Sequence, residues 1–384
     1  MVVGEMPEPR DLVVIGAGPG GVAAATAARA AGREVTLVTD GVLGGALAEW
    51  APAPDHRFGE PELTELGIDV VRGRGAFLSS SALRVQRADL PSLIVEFDSC
   101  VVATGTHGEQ NTAYTDAECD RGEAVEVRGT GMPALHAIAQ LLRAGSTLVL
   151  GDVTALLVRE FPRAAERALW DWLGDRVLVR DRDAGARGAV EATKCIDVRR
   201  RPGTTGLGLE RAGVTVDADG GVVVDETLLA APRIAAIGDV VPGVATPQRA
   251  VAQARAAIAT LSGERTVWSG PVACAAAIDD GSSRFEIAAV GSGFDASAEL
   301  EAARPTDSVR AERGDSGWIE LVNDRRTRVL LGAWASGRDA AAFIAGIAVA
   351  VEAGLLVDDV IHTALPWQTV ARWRELPTDR RGRS

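Results

Sequence analysis

The strongest constraint on this chain is a glycine-rich turn caught between a strand and a helix near its N-terminus. Asp11-Leu-Val-Val-Ile-Gly16 is a short apolar run of buried-strand character that ends on glycine. Gly16-Ala-Gly18-Pro-Gly20-Gly21 follows at once, then the alanine-rich helical stretch Val22 to Ala31, then a second strand, Glu34 to Thr39. This is a βαβ unit with G-x-G-x-x-G at its first turn. Gly16 permits the tight turn, Gly18 lets a pyrophosphate approach the backbone, and Gly21 lets the helix pack close to the strand. The helix N-terminus then faces the phosphates. Dinucleotide binding is the reading; an accidental glycine turn is the bland alternative. The acid that takes the ribose hydroxyl should close the second strand. Thr39 stands there, a weaker partner, with Asp40 one residue later as a substitute if the loop shifts.

Composition narrows the classes. With 384 residues, the chain is long enough for two or three domains at roughly 150 residues each. A net charge of −13 argues against nucleic acid and against an anionic membrane surface as partners. No uncharged apolar run reaches bilayer-spanning length, and Met1 to Arg10 lacks a basic n-region, so a cytoplasmic location is expected. Cys100, Cys119, Cys195 and Cys274 form no C-x-x-C pair, which excludes a local dithiol or a zinc ribbon. No metal constellation is visible. A G-x-S-x-G elbow is absent, so a hydrolase reading has no support.

Three further segments carry a family likeness: Cys100-Val-Val-Ala-Thr-Gly105, Arg233-Ile-Ala-Ala-Ile-Gly-Asp239, and Arg201 to Val214 between them. The tail agrees, with Phe285-Glu-Ile-Ala-Ala-Val-Gly291, Gly317 to Asp324, Leu331 to Gly337 and the helical stretch Asp339 to Glu352. In this order they resemble the pyridine nucleotide–disulfide oxidoreductases of the dihydrolipoamide dehydrogenase and mercuric reductase type. The resemblance implies an α/β fold: a Rossmann-like FAD domain, a second βαβ domain, and a C-terminal α+β dimerisation domain that makes a homodimer. It implies an FAD domain in two pieces, 1–125 and 222–265, a reduced and degenerate NAD(P)-type domain at 126–221, and an interface domain at 266–384. It implies FAD contacts from Gly16, Gly18, Gly20, Gly21, Thr39 and Asp40. Further contacts would come from Gly44, Gly45, Ala76, Ala103, Thr104 and Gly105, and from Gly238 with Asp239, the latter on the ribityl chain.

The family's chemistry is missing at three places. In register after Gly44-Gly45, the two redox cysteine positions hold Leu47 and Pro52, and neither forms a thiolate. The family's lysine near the flavin falls at His56. Near the C-terminus the catalytic His-Glu pair becomes Leu365 and Val370, while His362, three residues upstream, reads as a surface or packing residue with a shifted role left open. In the second βαβ, Thr147 to Gly151 as strand, Val153 to Leu173 as helix and Arg176 to Arg180 as strand, only Gly151 remains of the glycines. Asp152 follows it and would repel a pyrophosphate.

Glu49, Trp50 and His56 stand where the dithiol would meet the flavin. They are the catalytic candidates, for substrate contact or proton transfer; the alternative is a loop that plugs a vacated site. His107 reads as a loop residue and His136 as structural. Trp170 and Trp172 cannot share a helix face, so one is expected to pack and the other to line a cleft or interface. Trp367 and Trp373 are aromatic candidates for the dimer interface or a substrate wall.

The leading functional reading is an FAD-dependent oxidase or dehydrogenase acting on a small organic substrate, without a redox disulfide and without bound NAD(P). Its electrons would pass to oxygen, a quinone or a partner protein. Two alternatives stay open: a non-redox flavoenzyme such as a cyclase or isomerase, and a catalytically silent FAD-binding subunit paired with an intact homologue.

Overall fold

The computed structural model describes residues 8–45, 59–108, 122–150, 156–157, 161, 163–179, 192–243, 245–268, 273–291, 306–313, 317–363 and 371–376. The chain divides into two compact units, Met1–His107 with Arg200–Ser269, and Gly108–Arg199 with Gly270–Ser384.

The first unit begins with β1 (Glu8–Ile15), α1 (Pro19–Ala30) and β2 (Val35–Thr39). Leu12, Val13 and Val14 of β1 are fully buried on both faces, the pattern of a central parallel strand. α1 starts on Pro19, whose missing N–H costs nothing in the first turn. α2 (Glu60–Glu65) leads to β3 (Ile68–Arg72), parallel to β2. The hairpin of β4 (Arg74–Ser79) and β5 (Ala82–Gln86) then feeds β6 (Leu93–Val102), which runs parallel beside β1, and β7 (Thr106–Gly108) follows.

The chain next builds part of the second unit: β8 (Ala124–Arg128), α3 (Gly131–Ala144), β9 (Thr147–Leu150), α4 (Arg163–Leu173), β10 (Val177–Val179) and β11 (Lys194–Asp197). It returns to the first unit as β12 (Arg200–Pro202), which pairs with β7. Then come β13 (Leu229–Ala231), β14 (Ile234–Ala236) and α5 (Pro247–Leu261). β14 docks parallel to β6 and completes the order β13-β14-β6-β1-β2-β3, with β4 and β5 attached through β6. Alternation along β1 feeds two cores. Leu12 and Val14 pack with α1 and α5 on one face, and Val13 and Ile15 pack with Phe77, Leu83 and Leu207 on the other.

The second unit holds a four-stranded parallel sheet, β10-β9-β8-β11. It also holds β15 (Ala273–Asp279), β16 (Arg284–Gly291), β17 (Thr306–Arg313), β18 (Trp318–Asp324), β19 (Leu330–Ser336), α6 (Ala340–Glu352), α7 (Val357–His362) and β20 (Ala371–Leu376). These strands form an antiparallel sheet in the order β15-β16-β19-β18-β17-β20. Ala288, Val290, Ala333 and Ala335 meet Phe343, Ile344 and Ile347 of α6 on one face. Phe285, Ile287, Ala289 and Trp334 meet Ile138 of α3 and Leu169 and Leu173 of α4 on the other.

Two expectations need correction here. The helix expected from Val153 begins only at Arg163. Leu156 and Leu157 lie outside it, and their backbone N–H groups donate to the Glu166 carboxylate at 2.6 and 2.8 Å. Pro162 disfavours helix at Phe161 and so delays the start. Trp170 and Trp172 are both partly buried against the core of this unit. The Trp170 indole donates to Glu166 at 3.0 Å, while Trp172 lies 5.7 Å from the Phe285 ring and carries the Arg176 guanidinium 4.1 Å above its own. Trp367 lies outside the described residues. Trp373 falls on β20, opposite Ala311 of β17.

No helix among the described residues is long and apolar enough to cross a membrane. The second unit is centred on Trp334, which is 1% exposed, packs 6.3 Å from the Trp318 ring and donates to Glu320 at 3.1 Å. Trp334→Ala should therefore cost about 3–5 kcal/mol, read as a lowered chemical-denaturation midpoint.

Candidate functional site

The site is assembled in the first unit from segments far apart in sequence. Gly16 takes φ +104°, and a Cβ there would lie 2.3 Å from the Ala103 carbonyl oxygen, so the end of β6 sits directly on the turn after β1. A Cβ at Gly21 would lie 1.8 Å from the Gly16 carbonyl oxygen, which is why the helix can start this close to the strand. A Cβ at Gly20 would meet Ala250 of α5 at 3.0 Å and Ile237 at 3.5 Å, so the late strand and its helix close over the N-terminus of α1. Gly18 is different: a Cβ there would meet nothing within 4 Å. It caps α1 without a side-chain hydrogen bond, and no acid stands in the first turn. The first-turn N–H groups of α1 thus have no side-chain cap, an arrangement that suits an anion.

The Gly44-Gly45 pair is seated on the same turn. Gly44 N donates to the Ala17 carbonyl at 2.8 Å, and a Cβ at Gly45 would fall 3.0 Å from Gly18 Cα. Ala76 lies on β4, whose Gly75 lies against Ile15 and Val38 at the ends of β1 and β2. Thr39 closes β2 and is buried, with Gly41 N donating to its hydroxyl at 3.2 Å; Asp40 is exposed.

Two polar groups stand ready for a ligand. Thr104 Oγ1 is buried and has no hydrogen-bond partner among the described residues. Gly203 N holds the neighbouring Gly105 carbonyl at 2.8 Å, and Arg200 Nε donates to the Thr106 hydroxyl at 2.8 Å. Asp239 follows Gly238, which takes φ +74° and donates its N–H to Gln253 Oε1 at 2.8 Å. Burial pushes the Asp239 carboxyl above the usual aspartate range, opposed by the positive charges of Arg249 and Arg200. A buried hydroxyl and a half-buried carboxylate beside an uncapped helix N-terminus suit a ligand with phosphates and hydroxyls. These residues fit FAD, whose pyrophosphate would meet the α1 turn and whose ribityl hydroxyls would meet Asp239.

Arg200, Gly203, Arg249 and Gln253 were not legible as site residues. Gln253 is 1% exposed, and Arg249 is buried with its guanidinium on the Val241 and Pro242 carbonyls. The available signal was a polar pair four residues apart on an alanine-rich helix.

Glu49, Trp50 and His56, with Leu47 and Pro52, lie outside the described residues, as do Gly151, Asp152, Leu365 and Val370. His107 is exposed on β7, and His362 is exposed at the end of α7. His136 is half-buried on α3, and burial together with Arg143 lowers its pKa. Burial pushes the Cys100 thiol far up and makes it inert. The described residues contain no cluster that could hold a metal ion.

The family profile described as FAD dependent oxidoreductase matches residues 11–76. The profile described as pyridine nucleotide-disulphide oxidoreductase, dimerisation domain, matches residues 284–375. The chain is 24% identical to the dihydrolipoyl dehydrogenase of Geobacillus stearothermophilus, over 94% of each chain. It is 26% identical to that of Haloferax volcanii, over 97% of this chain and 96% of the relative. The Geobacillus alignment runs over 445 positions, more than the 384 residues present here, so that relative carries segments this chain lacks. Among solved structures, LpdA from Mycobacterium tuberculosis superposes with a TM-score of 0.73 at 22% identity, over 92% of this chain and 96% of that one. The Cu(II) complex of the HOCl-induced flavoprotein disulfide reductase RclA from Escherichia coli gives 0.70 at 18% identity, over 94% and 96%. These two likenesses concern the fold.

The raised pKa of Asp239 has a signed consequence. Stability of the flavin-free protein should fall as pH rises from the ordinary aspartate value, 3.8, through the raised one, because the fold holds the proton longer than the unfolded chain. Asp239→Asn removes that penalty. Flavin-free Asp239→Asn should melt higher than wild type at neutral pH, with the gap closing on acidification. The same variant should bind FAD about 10- to 100-fold more weakly, measured by flavin fluorescence, because a charge-assisted hydrogen bond is lost.

Proposed function

This chain belongs to the pyridine nucleotide–disulfide oxidoreductase family and is an FAD-binding oxidoreductase, and from that premise we propose that it works without the family's redox disulfide. The observation that carries the proposal is the segment entered from Gly45. Gly44 and Gly45 sit on the dinucleotide turn itself. In register after them, Leu47 and Pro52 replace the two thiols. The remaining cysteines are scattered, and Cys100 and Cys274 are buried.

FAD, when bound, supplies hydride and electron transfer by its own chemistry. The chain's residues bind and orient. The α1 N-terminus takes the pyrophosphate, Thr104 and Asp239 take hydroxyl groups, and Gln253 and Arg249 hold the Gly238 turn that presents Asp239. We assign Glu49, Trp50 and His56 to the substrate side of the flavin on their register in the sequence. Trp50 would form an apolar wall, and His56 would take or give a proton near neutral pH. The substrate is a small organic molecule. The loss of the glycines around Gly151, the acid at Asp152 and the shortened chain support a protein that does not bind NAD(P). The electron acceptor is then oxygen, a quinone or a partner protein. The dimerisation-domain match at 284–375 supports a homodimer.

Anaerobic titration of the purified holoprotein tests this reading. Dithionite should bleach the visible flavin band with one electron pair per flavin, with no long-wavelength thiolate–flavin band midway, and NADH and NADPH should leave the band intact. Uptake of a second electron pair together with a long-wavelength band would sink the proposal. A second reading, non-redox chemistry on the FAD scaffold, is favoured by the joint loss of the dithiol, the His-Glu pair and the nicotinamide glycines. Turnover retained with 5-deaza-FAD would select it.

A further inference from the structure

We propose that this chain holds the adenosine ribose of FAD without a carboxylate, so that its dinucleotide site does not read the ribose 2′ position. The proposal rests on FAD binding and goes beyond it. In a βαβ dinucleotide site the acid at the end of the second strand accepts the 2′-hydroxyl, and this sets the ribose preference. Here β2 ends in Thr39, which is 6% exposed. Its hydroxyl accepts from Gly41 N at 3.2 Å and lies 3.5 Å from the Gly41 carbonyl oxygen. The side chain is therefore spent on closing its own turn. Asp40 sits at the outer tip of that turn and is exposed.

The neighbouring strand supplies a cation instead of an acid. Thr39 pairs in register with Arg72 of β3. Arg72 Nη1 donates to the Gly41 carbonyl at 2.9 Å, which fixes the turn from outside. Its Nε and Nη2 both donate to Glu60 Oε2, at 3.1 and 2.8 Å. A guanidinium has no acceptor for a hydroxyl proton, and the carboxylate beside it among the described residues, Glu60, is already paired. What remains for FAD on this side is backbone and shape, while its phosphates are held at α1. Removing the 2′-hydroxyl from the cofactor should then cost little. Restoring an acid at position 39 should create the missing charge-assisted bond, an effect of about tenfold in affinity.

The test is fluorescence titration of the full chain, stripped of flavin, with FAD and with FAD whose adenosine is 2′-deoxy. Wild type should bind the two within about threefold. Thr39→Glu should tighten FAD about tenfold and leave the 2′-deoxy form behind. A preference of about tenfold for FAD in the wild type would overturn the proposal. So would a comparable loss of FAD affinity in Asp40→Asn or Glu60→Gln, because it would identify an acid on the ribose. The wild-type comparison and these two surface variants decide the matter even if Thr39→Glu does not fold. Binding of neither flavin would overturn the FAD premise itself, an outcome distinct from unequal binding of the two.

Discussion

The first unit depends on one close approach of backbone to backbone. The Gly16 carbonyl leaves no room for a side chain at Gly21, and the Ala103 carbonyl leaves none at Gly16. With all three in place, β1, β6 and α1 meet at a turn closed by backbone alone. The rest of the unit serves this contact. Gly44 bonds to Ala17, α5 crosses α1 at Gly20, and the Gly238 turn is tied to α5 through Gln253. Each is a non-local contact, so the anion site exists only when the whole unit has folded.

Energetically the site is poised rather than satisfied. A half-buried carboxyl with a raised pKa and a buried hydroxyl without a partner among the described residues both oppose folding of the bare protein. Hydroxyl groups of a bound cofactor would relieve both costs at once, and the ligand would then stabilise the fold that holds it. The same reasoning separates the two ends of the dinucleotide. The Asp239 end has a half-buried carboxylate, where a hydrogen bond is stronger than in open water. The Thr39 end has a self-bonded hydroxyl and a paired Arg72, so it contributes less.

The second unit is held by packing between its two sheets and their helices. Its parallel sheet keeps strand order and helices, and α3 and α4 bury Ile138, Leu169 and Leu173 against the antiparallel sheet. Glu166 collects the backbone donors of Leu156 and Leu157 and the Trp170 indole. Polar groups that would be costly when buried alone are thus satisfied within the protein.

Local pattern was enough to read the strands and helices around Gly16, Cys100, Ile234 and Phe285, because hydrophobic period and glycine placement act over a few residues. The same pattern showed that Leu47 and Pro52 are not thiols, a fact of composition that no folding alters. It did not reveal the late start of α4, since Pro162 and the Glu166 clamp override helix propensity. Nor did it reveal that Trp172 packs against Phe285, because that partner lies on β16. In the sequence alone, Thr39 was only a missing acid, and Asp239 only a motif residue. The sequence by itself determined the βαβ turn and the likeness to the family scaffold. Only the tertiary structure decided that the Thr39 hydroxyl bonds to Gly41, that Arg72 borders that turn, and that the half-buried Asp239 follows a turn held by Gln253 and Arg249. The Thr39–Gly41 bond is local, but the Arg72 contact and the Asp239 turn depend on strand register and on helix packing, which bring together residues that no local spacing connects.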